Sequence, residues 1–432
     1  MEKLKQLFYT RSKELGAEIK AFLKEKGQTV IDQVTVDQVI GGMRGIKAMY
    51  WETSELDAEE GIRFRGLSIN ELREKLPTWP GCGEPMPEGL FWLLMTGEIP
   101  AEEDVYELSE IWQSKRNLPP QVIKTLEALP PDTHPMTQLT MGIMAMQPES
   151  IFAKCYDEGM SRTEYWDATF EDSINLIAKL PTLAAYIYRR TFKNNVHIEA
   201  DPRLDWSGNF AHQLGFDGHD FKSFLRLYLT IHADHEGGNA SAHTTHLVGS
   251  TLADPYLSLA AGMNALAGPL HGLANQEVIK WVFDLLDDLG TRQPSKEQII
   301  GYIHKTLQEG KVIPGYGHAV LRQPDPRFIA QMEFAKKYIN KSDIIDVVWT
   351  LYNVVPGILT NLGKVKNPWP NVDAHSGAIL VHYGLIEQNF FTVLFGVSRA
   401  LGVLAAQTWA RALALPLERP KSLNLNSLKQ LV

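Results

Sequence analysis

Between Pro314 and Arg327 the chain reads Pro-Gly-Tyr-Gly-His-Ala-Val-Leu-Arg-Gln-Pro-Asp-Pro-Arg. His318 follows a Gly-x-Gly turn, and Arg322 and Arg327 stand four and nine residues after it. Glycine lets a backbone take positive φ or approach a ligand closely. Arginine grips carboxylate or phosphate with a two-pronged fork. A proton-transfer group beside two anion clamps, on a loop stiffened by prolines, is the composition of a polyanion site.

Other segments supply what that loop lacks. His271 stands in Leu-Ala-Gly-Pro-Leu-His-Gly, where a loop turns into a helix from Asn275. A helix N-terminus disfavours imidazolium, and a neutral imidazole can donate to a developing enolate. The alternative is a histidine satisfied by backbone carbonyls. Asp373 lies in Asn-Pro-Trp-Pro-Asn-Val-Asp-Ala-His-Ser-Gly, a rigid loop suited to a general base or to an aspartate that caps the next helix. A third cluster runs from Asp234 through His235, Glu236 and two glycines to Asn239, with Ser241, His243 and His246 beyond. Its histidines read either as a metal site or as polar core groups, and His235 is the better ligand contact. Arg399 is the sole charge in Val-Leu-Phe-Gly-Val-Ser-Arg-Ala-Leu-Gly-Val-Leu. Buried there, it requires an anion from the protein or from a substrate. Arg419 poses the same choice more weakly. A hydrolase elbow Gly-x-Ser-x-Gly and a phosphate loop of the Gly-x-x-x-x-Gly-Lys-Ser/Thr type are both missing.

The elements that must position these groups read mostly as helices. Leu4, Phe8, Leu15, Ile19, Phe22 and Leu23 mark an amphipathic helix ending near Gly27. Thr29–Val36 and Ala48–Thr53 carry strand-like residues, and Gly61–Gly66 reads as a short strand. Helices are expected from Pro87 to Gly97, at Ala101–Asn117 and at Tyr165–Thr191 with a kink at Pro181. More follow at Phe221–His232, Asn275–Leu289, Lys296–Glu309, Arg327–Tyr338 and Ser342–Leu362. Pro255–Leu270 and Phe390–Leu417 are the most apolar stretches, and buried helices explain them better than membrane spans.

At 432 residues the chain exceeds one ordinary core. Composition breaks at Gly262–Gly272 and Asn367–Gly377 suggest a smaller unit inserted in a larger one. A net charge of −9 disfavours nucleic-acid and membrane partners, so any positive field must be local. Cys82 and Cys155 give no disulfide framework and fit a reducing compartment. The acidic residues of the first helix argue against a transit peptide.

These motifs, in this order, resemble those of the citrate synthase family. The likeness extends through Gly-Gly-Met-Arg-Gly at 41–45, Glu-Gly-Ile-Arg-Phe-Arg-Gly at 60–66, Asp234–Asn239 and Phe395–Gly402. It runs from Gln28 to Ser422 and is nearer the mitochondrial-type, dimeric branch than the hexameric, NADH-inhibited one. The resemblance implies an all-α fold with minor short strands near the N-terminus. It further implies a large domain (1–272 and 381–432), an inserted small domain (273–380) and a site in the cleft between them. The implied reaction condenses acetyl-CoA with oxaloacetate and water, the first step of the tricarboxylic acid cycle, in a homodimer with no tightly bound cofactor and no metal. Asp373 would be the base, His271 the enol hydrogen-bond donor and His318 the ketone polariser. His235, Arg327, Arg399 and Arg419, the last from a partner subunit, would hold the substrate carboxylates. Arg44, Arg162, Arg322 and Lys366 would meet CoA phosphates, with Val312, Ile313, Gly315 and Gly317 at the adenine and Asn371 close by. The compartment expected is the cytoplasm of a bacterium or the mitochondrial matrix. Rival readings are 2-methylcitrate synthase and a non-catalytic helical scaffold.

Overall fold

Proline in a first helical turn and a small polar residue just before it recur along this chain, and both start helices. In the computed structural model, which describes residues 1–363 and 367–432, helices open this way at Pro87, Pro135, Pro255 and Pro326. Asn239, Asp254 and Ser295 cap theirs through side-chain acceptors, and Ser295 does so in a reciprocal box with Gln298. The fold is all-α apart from one three-stranded antiparallel sheet: β1 (Ser54–Asp57), β2 (Gly61–Phe64) and β3 (Leu67–Ser68), in that order. Ser54 pairs with Phe64 and Arg63 with Ser68.

Two expected strands do not form. Residues 29–35 and 48–53 run as irregular chain, with a short helix at Val36–Ile40 between them. Val30, Ile31 and Val34 are exposed, so their β-branched side chains have neither a partner strand nor a packed face to reward extension. The first helix, Glu2–Lys26, ends where Gly27 suggests, but it buries only its first half, through Leu4 and Phe8. Phe22 and Leu23 lie in solvent.

One helix organises the rest. Phe391–Ala412 is buried along almost its whole length, and it packs against Tyr165–Phe192, Ala240–Ser250 and Pro255–Leu266. Among the described residues two helices, Asp343–Leu362 and Gln388–Ala412, have the length and hydropathy of a membrane span, but the second is 94% buried across its most apolar window. It is a core helix, as expected from Arg399 and Arg411 along it.

A second group comprises Ala274–Leu289, Lys296–Gln308, Pro326–Tyr338, Asp343–Leu362 and Asp373–His382. Asp373–His382 packs on three of the others, Ala274–Leu289 among them. Those two helices follow His271 and Asp373, so their contact sets how the two side chains stand to each other. Gly377 makes the contact close: a Cβ there would overlap Ile279 and reach within 2.6 Å of Asn275 Oδ1. Asn275 Nδ2 donates to Ser376 Oγ across the same seam. Alanine is worth about 1 kcal/mol over glycine inside a helix, whereas overpacking a tight seam costs about 1–3 kcal/mol. Gly377→Ala is therefore expected to lower the midpoint of thermal unfolding despite the better helix former. A raised midpoint would show that the seam has slack.

Candidate active site

The loop before His318 is built on its two glycines. Gly315 and Gly317 take φ of +80° and +98°, a region side chains resist. A Cβ on Gly315 would stand 3.0 Å from Ala374 Cα, so the loop lies directly on the segment that carries Asp373. Backbone bonds join the two: Gly317 N–H donates to Trp369 C=O at 2.9 Å, Asn371 N–H to Gly315 C=O at 2.9 Å, and Asp325 N–H to Pro370 C=O at 3.2 Å.

Backbone donors read out the tautomers of both candidate histidines, because an N–H can only donate. His318 Nδ1 accepts from Val320 N–H at 3.0 Å and Leu321 N–H at 3.1 Å, which leaves the proton on Nε2. His271 Nε2 accepts from Ser241 N–H at 3.2 Å and lies 2.9 Å from Ser241 Oγ, which leaves the proton on Nδ1. Both rings are held neutral, with burial pushing each down to about 4. Arg399 adds to this at His271 and Arg327 at His318. The result is two neutral imidazoles, each with one fixed N–H donor.

Asp373 is the first residue of its helix and does not cap it; Asn371 Oδ1 accepts the Asp373 N–H instead, at 3.0 Å. The Asp373 carboxyl is raised to about 6 by desolvation, against the pull of Arg327 and Arg399. A carboxylate so placed is a stronger base than one in water and is still ionised at neutral pH.

Arg399 is 1% exposed, and no carboxylate among the described residues comes within ion-pair distance of it. Its Nε donates to His232 C=O at 3.3 Å, and its Nη1 to Asn239 Oδ1 at 2.8 Å and Ser241 Oγ at 3.1 Å. The guanidinium also lies 4.7 Å from the Phe395 ring centroid. Burial pulls it down to about 10, so it stays charged. Arg327 differs in having a resident partner, Asp325, bound through Nε and Nη2 at 2.7–3.2 Å in a buried pair. His235 packs edge-on against His318 with ring centroids 5.4 Å apart, and its buried Nε2 has no partner among the described residues. Burial and the Arg327 charge hold it neutral.

Asp234 anchors this wall. Its carboxylate accepts from Trp51 Nε1 at 3.2 Å, Thr53 Oγ1 at 2.5 Å, Ser54 Oγ at 2.8 Å and His235 N–H at 2.9 Å. The chain entering β1 is thus tied to the histidine. Asp234, Asn239, Ser241 and Asp325 are site residues to which the sequence reading gave no role. Asn239 follows a glycine and Asp325 stands between prolines, where a side chain bonds local backbone more often than ligand, while Asp234 and Ser241 carry no such local mark.

The remaining expected residues are dispersed. Arg322 turns its guanidinium onto the carbonyls of its own loop, at Ala319, Val320 and Leu321. Arg44 and Arg162 are exposed, and Arg162 Nη2 donates to Ala414 C=O at 3.2 Å. Val312 is exposed and Ile313 buried. Lys366 lies outside the described residues. Arg419 is exposed on a C-terminal segment pinned by Glu418, which meets His243 Nε2 at 3.2 Å and His246 Nε2 at 3.0 Å. Those two histidines of the metal reading therefore face a carboxylate, while His235 faces His318. No group of three or more metal-ligating side chains of the His, Cys, Asp or Glu type occurs among the described residues.

Comparison with known proteins gives this arrangement a family. The model of the citrate synthase C-terminal domain matches residues 42–421. The mitochondrial citrate synthase of Daucus carota is 56% identical over 411 residues, covering 95% of this chain and 87% of that protein. The probable mitochondrial citrate synthase of Glossina morsitans morsitans is 55% identical over 415 residues, covering 96% and 89%. The chain belongs to the citrate synthase family. Solved structures of the family share its fold. The Pyrobaculum aerophilum citrate synthase superposes with a TM-score of 0.77 at 23% identity over 92% of this chain and 97% of that one. The Thermoplasma acidophilum citrate synthase, solved as a ternary complex with carboxymethyl coenzyme A and oxaloacetate, gives 0.76 at 20% identity over 91% and 97%.

Two neutral histidines with fixed tautomers predict an NMR signature. In protein labelled with 15N-histidine, His271 is expected to carry its proton on Nδ1 and His318 on Nε2, unchanged from pH 8 to pH 5. Swapped tautomers would contradict the backbone readout. Both folded values lie below the ordinary 6.5, so the unfolded chain takes up these protons first. The contribution of these two histidines to the unfolding free energy is accordingly expected to decline as pH falls from 6.5 toward about 4, opposite in sign to that of the raised Asp373 carboxyl.

Proposed function

We propose that this chain catalyses the condensation of acetyl-CoA with oxaloacetate and water to give citrate and CoA, with Asp373, His271 and His318 as its chemical groups. One observation carries the assignment of roles. A desolvated carboxylate and two imidazoles with single fixed donors lie in the fields of two guanidinium groups, one of which has no carboxylate in ion-pair contact among the described residues.

The acetyl methyl group is a very weak carbon acid, so base and oxyanion donor must act together. Asp373 takes a methyl proton while the Nδ1–H of His271 donates to the thioester oxygen, and the electron pair of the broken C–H bond passes into the enol. His318 Nε2–H donates to the ketone oxygen of oxaloacetate and draws electrons from its carbon. The enol carbon attacks that carbon and forms a C–C bond as the C=O π pair moves to oxygen. That oxygen takes the Nε2 proton of His318, and the proton removed by Asp373 returns to His318 through solvent. Water then cleaves the thioester of citryl-CoA to citrate and CoA. General acid–base assistance contributes about 10²–10⁴-fold and a placed oxyanion donor roughly 10²–10³-fold.

Arg399, Arg327 and the open Nε2 of His235 suit the carboxylates and the ketone of oxaloacetate. Arg399 favours this reading most, since a dicarboxylate supplies the counter-charge it lacks. We further infer that residues 273–380 form the smaller domain and close over oxaloacetate, which would keep bulk water from the thioester. We also infer that the working form is a homodimer, with Arg419 of one copy reaching the other's site. CoA phosphates would fall to Arg44, Arg162, Arg322 and Lys366, with the Val312–Gly317 backbone at the adenine. Relatives named as mitochondrial favour the mitochondrial matrix as its setting.

Thiol release from acetyl-CoA that requires oxaloacetate tests the reaction, and a higher kcat/KM with propionyl-CoA would reassign the substrate. Asp373 must be ionised to act, so kcat/KM is expected to fall on the acid side of about pH 6. Asp373→Asn is expected to lose about 10²–10⁴ in kcat. A rate unchanged in that variant would remove Asp373 from the mechanism even if citrate is formed.

A further inference from the structure

Asn371 lies two residues before the base and touches neither histidine nor arginine. Its polar groups are nonetheless all engaged, and the pattern of engagement is specific. The backbone N–H donates to Gly315 C=O at 2.9 Å, and the C=O accepts from Ala374 N–H at 3.2 Å. Side-chain Nδ2 donates to Gly317 C=O at 3.1 Å, the carbonyl of the residue immediately before His318. Side-chain Oδ1 accepts from the N–H of Asp373 itself at 3.0 Å. A single amide therefore spans from the peptide that carries the ketone polariser to the peptide that carries the base.

A second asparagine, one turn earlier in number, holds the other end of the loop. Asn367 is buried, and its Nδ2 donates to Leu321 C=O at 2.7 Å. The N–H of the same Leu321 is one of the two donors to His318 Nδ1. The His318 loop is clamped at Gly317 and at Leu321, and only the Asn371 clamp also reaches Asp373. The tight contact of Gly315 with Ala374 leaves the joined loops little freedom to slide.

We propose that Asn371 is a positioning residue that sets the spacing between the ketone-polarising histidine and the proton-abstracting carboxylate. This rests on the roles proposed above for His318 and Asp373, and it competes with the expectation that Asn371 serves CoA. The requirement is geometric: the enol carbon forms over Asp373 and must meet a ketone carbon whose oxygen is held by His318. A displacement on the order of 1 Å in such an arrangement costs roughly 10²-fold in rate.

The test uses the full chain with Asn371→Ala and Asn371→Asp. For Asn371→Ala, kcat is expected to drop about 10- to 100-fold, with KM for acetyl-CoA and oxaloacetate within roughly twofold of the unsubstituted chain. The 13C resonance of the ketone carbon of bound oxaloacetate is expected to move back toward its position in free solution, as polarisation by His318 is lost. Asn371→Asp keeps an acceptor for the Asp373 N–H but removes the donor to Gly317. It is expected to lose the ketone shift while still exchanging acetyl-CoA methyl protons with deuterium oxide. A raised KM for acetyl-CoA at unchanged kcat would assign Asn371 to CoA and overturn the proposal. An unaltered ketone shift alongside a lower unfolding midpoint would overturn it too, by showing a merely structural role. If the unsubstituted chain released no thiol in an oxaloacetate-dependent manner, the roles on which this rests would fall, and the inference with them.

Discussion

Arg399 is a buried charge with no carboxylate in ion-pair contact among the described residues; Asp234 and Asp373 act on it only from farther off. It rises from the middle of a helix buried along almost its whole length, and the groups within hydrogen-bond or stacking reach are a backbone carbonyl, an amide, a hydroxyl and a phenyl face. Neutral acceptors hold a guanidinium in place without cancelling its field. That field bears on His271 and His235, where it disfavours a proton, and on Asp373, where it favours the ionised form. Asp373 nevertheless ends above the ordinary carboxylate value, because desolvation outweighs the two arginines. The site therefore combines uncharged donors with a base that has lost solvation, which is the combination an enolisation in neutral water requires.

The two arginines divide the work differently. Arg327 carries Asp325 with it, so part of its charge is offset, although it still acts on His318, His235 and Asp373. Arg399 offers charge as well. An incoming dicarboxylate would find one guanidinium already shared and one unshared, which gives the two ends of the ligand unequal partners. On the reading proposed above, that inequality would orient the ligand.

The sequence was legible where one residue settles the local outcome. Gly27 and Gly97 end helices, Pro87 and Pro326 begin them, and the paired glycines before His318 make the turn they suggest. The isolation of Arg399 among apolar residues correctly implied a buried cation. Legibility failed where the outcome depends on a distant partner. Val30, Ile31 and Val34 look like strand residues, yet no neighbouring strand is there to pair with them. Asp234 and Asp325 read as loop polar residues, and only the fold reveals that one receives Trp51, Thr53 and Ser54 from 180 residues away while the other is locked to Arg327. The spacing of Arg322 suggested an anion clamp, and it could not show that the guanidinium also meets the carbonyls of Ala319, Val320 and Leu321. Bonds of that kind follow from chain topology, which no local pattern encodes.

The placement of Arg399 on the Phe391–Ala412 helix has one more consequence. That helix has almost no face in solvent, so each of its residues is held by neighbours on every side. The proposed anion anchor is thus a fixed datum, while Asp373, at the first position of its helix, and His318, on a loop, have a mutual registry set by a few hydrogen bonds. Variation within such a lineage is channelled accordingly. Drift in the loops can retune rate and acyl preference in small steps, whereas any change in where the carboxylate sits must be accommodated by the core at once. Substrate charge is the trait this architecture makes hardest to alter.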